Sequence, residues 1–177
     1  GLTIRPGISP DEAQVRRGGV GTVNIYEPMA TMISNTMVEE FSFAYLEPLI
    51  RHVKSLGALA LVHICNDTTR LLNRMVEIGT DILSLDVQVD LARAKEIVAG
   101  RASISGNVAT NHLARLTPEE IYQESCRCIE QAARGGHFTL GSSCEVPCET
   151  PPENIDAMVR AAREFGAQYL RRLEREA

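Results

Sequence analysis

Leu61-Val62-His63-Ile64-Cys65-Asn66-Asp67 is an apolar, partly β-branched run that ends in polar residues. This pattern is typical of a strand that reaches the edge of a sheet. Because side chains alternate across a strand, His63 and Cys65 are expected to project from the same face. Imidazole and thiolate are the commonest zinc ligands, so this strand end predicts half of a metal site.

A cysteine at the end of another strand could complete that site. Gly141-Ser142-Ser143-Cys144 also follows an apolar run, and Cys144 is therefore a candidate for the third ligand. Cys148 lies four residues further on in the same loop and is an alternative. Cys126 and Cys128 lie in a predicted helix at a separation that does not share a face, so we interpret them as structural.

The composition limits the classes of function. The chain has 177 residues, of which 44% are hydrophobic and 23% charged, and this excludes global disorder. With a net charge of −5 and no Lys/Arg run, neither nucleic acid nor an anionic membrane is an expected partner. No apolar run reaches the roughly 18 residues of a membrane span, and no signal-peptide pattern is present, so a cytoplasmic location is expected. Five cysteines, an odd number, indicate reduced thiols or metal ligands.

Strand-like runs alternate with segments of helical period. Strands are predicted over 20–27, 59–65, 81–86, 102–108 and 138–141. Helices are predicted over 35–57, 69–78, 91–98, 117–135 and 150–166, with a short helix that starts at Ser9 and a charged helical tail over 167–177. Thr117 and Thr150 each head a capping box with proline at the first helical position. In the first long predicted helix, apolar residues recur at helical spacing. They are Met37, Phe41, Tyr45, Leu46, Ile50 and Val53.

This alternation predicts an α/β fold of parallel strands joined by right-handed crossover helices. An open doubly wound sheet fits, and so does part of a (β/α)8 barrel, which five strands are too few to close. In both architectures ligands bind at the carboxyl ends of the strands. The polar residues at the predicted strand ends are Glu27, His63, Cys65, Asp86, Asn107 and Cys144. Their shared position predicts a functional site at that edge.

Several short motifs occur along the chain in a characteristic order. They are Ile25-Tyr26-Glu27-Pro28-Met29-Ala30, His63-Ile64-Cys65, Leu83-Ser84-Leu85-Asp86, Ser105-Gly106-Asn107, and Gly141-Ser142-Ser143-Cys144 followed by Thr150-Pro151-Pro152-Glu153-Asn154. The ordered set resembles the uroporphyrinogen decarboxylase superfamily, and within it the zinc-dependent methylcobamide:coenzyme M methyltransferases. The resemblance spans roughly 19–166. It implies that 1–177 is a single domain forming the C-terminal part, about five strands, of a (β/α)8 TIM barrel, incomplete on its N-terminal side.

The methyltransferase branch implies a specific chemistry. Zinc would be held by His63, Cys65 and Cys144, and would activate a thiol such as coenzyme M. The thiol would take a methyl group from a methylated corrinoid. The Asp-x-His-x-x-Gly corrinoid signature is absent from this chain, so the donor is expected on a separate carrier protein.

Three further polar residues receive roles from the same resemblance. Asp86 is expected to be catalytic as a displaceable fourth ligand, with a loop cap as the alternative. Glu27 is expected to be catalytic and Asn107 to bind the cofactor or substrate, since such groups orient metal ligands. Backbone hydrogen bonding by Glu27 and turn chemistry at Asn107 are the alternatives.

Two other functions stay open. One is decarboxylation of a tetrapyrrole carboxylate, although the decarboxylases carry a histidine near the end of the last strand, where this chain has Cys144. The other is a non-catalytic half-barrel that serves as a partner subunit. A five-strand piece exposes sheet edges, so a homo-oligomer or a partner that covers them is expected.

Overall fold

The computed structural model describes residues 20–176, which are built around one five-stranded parallel sheet. Its strands are β1 (Thr22–Glu27), β2 (Leu59–Ile64), β3 (Ile82–Leu85), β4 (Ser103–Val108) and β5 (Phe138–Ser142). All five predicted strands are confirmed, whereas the predicted helix at Ser9 lies outside the described residues. The spatial order β1-β2-β3-β4-β5 follows the chain. A doubly wound sheet reverses its order at a switch point, so this order favours the barrel.

Helices lie between successive strands, and two more follow the last strand. They are α1 (Asn35–Val38), α2 (Ala44–Ser55), α3 (Leu72–Glu77), α4 (Leu91–Val98), α5 (Thr110–Arg115), α6 (Pro118–Ala132), α7 (Pro152–Ala161) and α8 (Ala167–Glu176). A π-helical turn over Glu39–Phe43 joins α1 to α2, and another over Ala162–Gly166 joins α7 to α8. Within residues 20–176, no helix is long and apolar enough to cross a membrane.

The two faces of the sheet differ in polarity. The face packed against the helices is apolar and fully buried, for example at Val23, Val62 and Leu83. The opposite face lines a hollow and carries mostly small or polar side chains, among them Asn24, His63, Ser84, Ser105 and Gly141. Alternation along each strand therefore separates a packing face from a face available for chemistry.

The sheet is strongly curved. From β2 to β5 is three strand spacings, or about 14 Å in a flat sheet at roughly 4.8 Å each. Cys65 directly follows β2 and Cys144 follows β5, yet their sulfur atoms belong to a cluster no wider than 4.8 Å. Side chains on one face of a flat sheet would not meet, so the strands must curl around the polar face. The described chain is the C-terminal part of a (β/α)8 barrel, with β1 and β5 at the two ends of its sheet.

The buried face of the first helical segment differs from the prediction. Met37, Phe41 and Tyr45 are 43%, 58% and 71% exposed, so the apolar face that their helical spacing predicts is not buried at these three positions. A π-helical turn contains more residues than an α-helical turn, and this shifts the phase of the buried positions. The buried residues of the segment include Val38, Phe43, Leu46, Ile50 and Val53.

One predicted helix starts later than expected, and one observed helix has no counterpart in the prediction. The helix predicted from Thr69 begins at Leu72, because the Asp67 carboxylate accepts hydrogen bonds from both the backbone N–H and the hydroxyl of Thr69. Those bonds hold the segment in a turn. α5 lies between 108 and 117, where no element is predicted, and its N-cap Ala109 offers no side-chain oxygen. Without a capping side chain the sequence carries no start signal there.

The two predicted capping boxes have different outcomes. Thr117 caps α6, and the reciprocal bond from its backbone N–H to the Glu120 carboxylate is also present. The prediction for Thr150 is wrong, since α7 has Pro151 as its N-cap and the Thr150 hydroxyl has no hydrogen-bond partner among the described residues. Pro152 disfavours helical geometry at the preceding residue, so the helix starts one residue late.

Candidate metal centre

Three predicted ligands converge at the carboxyl ends of β2 and β5. One ligand atom each from His63, Cys65 and Cys144 lies within 4.8 Å of the others. His63 is buried, and both cysteines are partly exposed. Cys148, the alternative third ligand, is exposed and does not belong to this cluster. The geometry therefore favours Cys144 over Cys148.

The His63 ring is held in one orientation and one tautomer. Its Nδ1 lies 3.2 Å from the carbonyl oxygen of Ser84 and 3.2 Å from the Ser84 hydroxyl. A carbonyl can only accept, so Nδ1 carries the proton and donates it. Nε2 keeps its lone pair and lies 3.5 Å from the Cys65 sulfur. A backbone carbonyl behind the ring is the usual support of a metal-binding histidine.

The spacing of the His63 and Cys65 ligand atoms fits a tetrahedral zinc ion, and the Cys144 sulfur lies within 4.8 Å of both. Zinc bonds of about 2.0 Å to nitrogen and about 2.3 Å to sulfur place two ligand atoms roughly 3.5 Å apart at a tetrahedral angle. The distance from His63 Nε2 to Cys65 Sγ is 3.5 Å. Three protein ligands leave one tetrahedral position open, which is the arrangement of a catalytic zinc site.

The cluster lacks positive charge. Burial, the neighbouring Cys144 thiol, and the Asp86 and Glu27 carboxylates raise the pKa of Cys65 to about 11. Burial is also the main cause that lowers the pKa of His63, which keeps the ring neutral. A bound cation would reverse the effect on the thiol, because coordinating sulfur loses its proton. Both residues are thus in the forms that suit a cation: a neutral imidazole and a thiol that a metal can ionise.

The two predicted catalytic carboxylates both accept backbone hydrogen bonds. Glu27 accepts from the N–H groups of Met29 and Ala30, at 3.1 and 2.7 Å. Asp86 accepts from Asn66, at 2.8 Å, and from Val87, at 2.6 Å. Asp86 thereby ties the loop after β3 to the residue that follows Cys65. A catalytic or ligand role for either carboxylate stays a prediction.

Asn107 is buried behind the cluster. Its side-chain amide donates to the carbonyls of Asp86 and Val89, at 3.0 and 2.9 Å. Gly106 permits this approach, because a Cβ there would lie 2.9 Å from the Leu85 carbonyl oxygen. Asn107 thus fastens β4 to the loop after β3, and its role toward a cofactor stays a prediction.

Sequence reasoning missed several residues around the cluster. A cavity of about 370 Å³ opens beside the three ligands and is also lined by Tyr26, Pro28 and Glu145. The rings of Tyr26 and His63 meet edge to face, with centroids 5.7 Å apart. Ser84 could have been found, since it lies two residues before Asp86 and so shares its face. Glu145 carried no signal beyond its place after Cys144.

A curled sheet of parallel βα units with a His–Cys–Cys cluster at its carboxyl edge is part of a (β/α)8 barrel that carries a candidate metal site. The family model for uroporphyrinogen decarboxylase (URO-D) matches residues 12–165, and the chain belongs to this family.

Relatives in two activity classes match the chain. It is 32% identical over 156 residues to the uroporphyrinogen decarboxylase of Pseudomonas syringae pv. tomato. The match covers 85% of this chain and 43% of that protein. It is 26% identical over 149 residues to the methylcobamide:CoM methyltransferase MtbA of Methanosarcina acetivorans, with 83% and 43% covered. A solved methyltransferase structure from Methanosarcina mazei superposes with a TM-score of 0.76 at 25% identity, covering 87% of this chain and 45% of that one.

These comparisons place the chain in a family that contains both decarboxylases and methyltransferases. They also show that the chain spans less than half the length of the relatives that it matches. At these identities the family is established, while the choice between the two reactions depends on the site.

Proposed function

We propose that this chain carries the zinc-binding part of a methyltransferase that moves a methyl group from a methylated corrinoid to a thiol. The convergence of His63, Cys65 and Cys144 is the observation that carries the proposal. Two sulfurs and one nitrogen are the donor set of several catalytic zinc sites. The relationship to the methylcobamide:CoM methyltransferase adds support.

Zinc in this cluster would supply the Lewis acidity that ionises a thiol at neutral pH. In the overall reaction the thiol loses its proton, and its sulfur forms a bond to the methyl carbon. The bond from that carbon to the corrinoid breaks, and its electron pair stays on the corrinoid, which leaves reduced. Because a thiolate is the nucleophile in such a reaction, a site that lowers the thiol pKa is its first requirement.

The chain's own residues keep the cluster in place during this reaction. Ser84 orients the His63 ring, and Asp86 holds the backbone after Cys65. Both supports are hydrogen bonds between neighbouring strand ends, so they are formed before any substrate arrives. Such preorganisation keeps the ligands from rearranging when a thiol enters the open position.

Decarboxylation is the alternative, favoured by the 32% identity to a uroporphyrinogen decarboxylase. The charge of the cavity argues against it. Glu27 and Glu145 line the space beside the cluster, and no Lys or Arg lines it in the described part of the chain. Negative side chains disfavour a substrate that carries carboxylates. A non-catalytic half-barrel is the other alternative, and it requires no metal.

The proposal includes two protein partners. A separate carrier protein presents the methylated corrinoid. A second polypeptide segment, or another copy of the chain, covers the outer edges of β1 and β5, since unpaired strand edges invite pairing. The match spans less than half the length of these relatives, and this is the observation behind the second partner and behind an incomplete domain.

Demethylation of free methylcobalamin tests the function without the carrier protein. We expect the zinc-loaded chain to accelerate methyl transfer to 2-mercaptoethanol, followed by the absorbance change of the corrinoid. The Cys144→Ala variant should lose this acceleration, and Cys148→Ala should keep it. Equal rates for the wild type and Cys144→Ala, with zinc bound to the wild type, would refute methyl transfer. Turnover of uroporphyrinogen by the same preparation would then establish the decarboxylase.

A further inference from the structure

A second hollow of about 150 Å³ adjoins the metal cluster on the concave face of the sheet. Tyr26, His63 and Cys144 line both this hollow and the larger cavity, so the two spaces meet at the ligands. At roughly 30 Å³ per water molecule, the hollow has the volume of about five waters. A group bound to a metal in the cluster could therefore extend into it.

Small polar side chains form the wall of the hollow. His63, Ser84 and Ser105 are in register on three neighbouring strands. The Ser84 hydroxyl is engaged by His63. Within residues 20–176, by contrast, the side chains of Asn24 and Ser105 have no hydrogen-bond partner in the chain. They are available to bind a ligand's polar atoms.

Gly141 keeps the hollow open. A Cβ added there would lie 3.2 Å from the Ser105 hydroxyl oxygen, inside the space that the hollow occupies. The φ angle of Gly141 is outside the left-handed region, so the backbone does not require glycine at this position. The consequence of glycine here is space next to Ser105.

The hollow offers hydrogen bonds and no charge. In the described part of the chain, no Lys, Arg, Asp or Glu side chain lines it. Carboxylates lie nearby, since Glu27 and Glu145 line the adjoining cavity and Asp86 acts electrostatically on His63. An anionic group in the hollow would gain no countercharge from the lining side chains and would lie close to the carboxylates of the adjoining cavity, which is unfavourable.

We infer that this hollow receives the tail of the acceptor thiol and selects a short, unbranched, uncharged tail that ends in a hydrogen-bonding group. Asn24 and Ser105 bind the polar end, and Gly141 limits its size. The inference rests on the proposed function, because it requires a thiol at the metal.

Thiol binding to the cobalt-loaded chain tests this directly, since cobalt(II) takes the place of zinc and reports thiolate coordination by a charge-transfer absorption band. The probes are methanethiol, which has no tail, 2-mercaptoethanol, 2-mercaptoethanesulfonate, and 2-(methylsulfonyl)ethanethiol, an uncharged match for the sulfonate in size. We expect the uncharged sulfone to bind at least about tenfold more tightly than the sulfonate.

Variants of the hollow provide the second comparison. Gly141→Val should weaken the binding of 2-mercaptoethanol by roughly tenfold or more, since one or two misplaced methyl groups have effects of this size. It should leave methanethiol binding and cobalt loading unchanged. Ser105→Ala should weaken the binding of 2-mercaptoethanol and leave the binding of methanethiol unchanged. If Gly141→Val fails to fold, Gly141→Ala replaces it, because its one methyl group already reaches Ser105.

The outcomes separate this inference from the proposed function. A chain that binds no cobalt overturns both. A chain that binds cobalt and methanethiol, but prefers the sulfonate or ignores changes at Gly141 and Ser105, overturns the inference and leaves the proposed function intact.

Discussion

Two pairs of potential ligands have their two members separated by one residue, but only one pair lies in the candidate metal site. His63 and Cys65 lie at a strand end, on one face, and meet Cys144. Cys126 and Cys128 lie in the helix α6, where two residues are about 200° apart, and both are buried in packing. Cys128 contacts the Asn107 side-chain oxygen at 3.8 Å. The same spacing thus builds a metal cluster on a strand and two unrelated packing contacts on a helix.

The largest expected difference between the two pairs is in zinc affinity. Cys65→Ala removes one of three ligands and should weaken zinc binding by roughly a thousandfold, more than the 10- to 100-fold typical of losing a supporting residue. Cys126→Ala should leave it unchanged. Competition with a chromophoric chelator measures both affinities. Equal affinities in the two variants would show that the strand pair is not the ligand pair.

The pH dependence of zinc affinity should come from the strand pair. The pKa of Cys65 is raised to about 11, so its thiol is protonated at neutral pH and must release that proton when it coordinates. The pKa of His63 is lowered, so its ring is already neutral above pH 6.5 and releases none. Zinc affinity should therefore rise with pH, by about tenfold per unit or more between pH 6.5 and 8.5.

Chelator competition at several pH values checks this dependence, with Cys148→Ala as the matched control that should show the same slope. An affinity that is flat or falls over this range would contradict thiolate coordination.

In the metal-free protein, we expect the helix pair to contribute more to the free energy of unfolding than the strand pair. Cys128→Ala removes a buried side chain and its contact with Asn107, and should lower the free energy of unfolding by about 1–2 kcal/mol. Cys65→Ala should cost less than about 1 kcal/mol, because its side chain is partly exposed. Urea denaturation of the metal-free variants measures both. A larger loss at Cys65 would indicate that this residue is mainly a packing residue.

The smallest effect is expected at the support of the histidine ring. Ser84→Ala removes the hydroxyl but keeps the backbone carbonyl that accepts from His63 Nδ1. Zinc affinity should fall by about three- to tenfold, at or below the lower end of what outer partners contribute. Ser103→Ala is the control, since this serine lies at the start of β4, at the opposite end of the strand from the ligands. A loss of affinity as large as that of Cys65→Ala would make Ser84 more than a support.

The sequence predicted those features that depend on local period. Alternation correctly placed His63 and Cys65 on one face, and strand alternation with helices yielded the parallel α/β fold. The convergence of Cys144 with them depends on the curvature of the sheet. No local pattern encodes that curvature, so the ordered family motifs supplied the expectation instead.

The errors have identifiable physical causes. The π-helical turn over Glu39–Phe43 shifted the buried face, so that Phe41 and Tyr45 are exposed. Consecutive prolines delayed the start of α7 and left Thr150 without its capping role. The Asn107 amide is committed to two backbone carbonyls, a contact between distant loops that a linear pattern does not contain.

Zinc content of the purified chain, measured by elemental analysis after metal loading and dialysis, shows whether His63, Cys65 and Cys144 form a metal centre. We expect about one zinc per chain in the wild type and in Cys148→Ala, and almost none in Cys144→Ala. A wild-type chain without zinc, or a Cys144→Ala variant that retains it, would contradict the metal centre and with it the proposed methyl transfer.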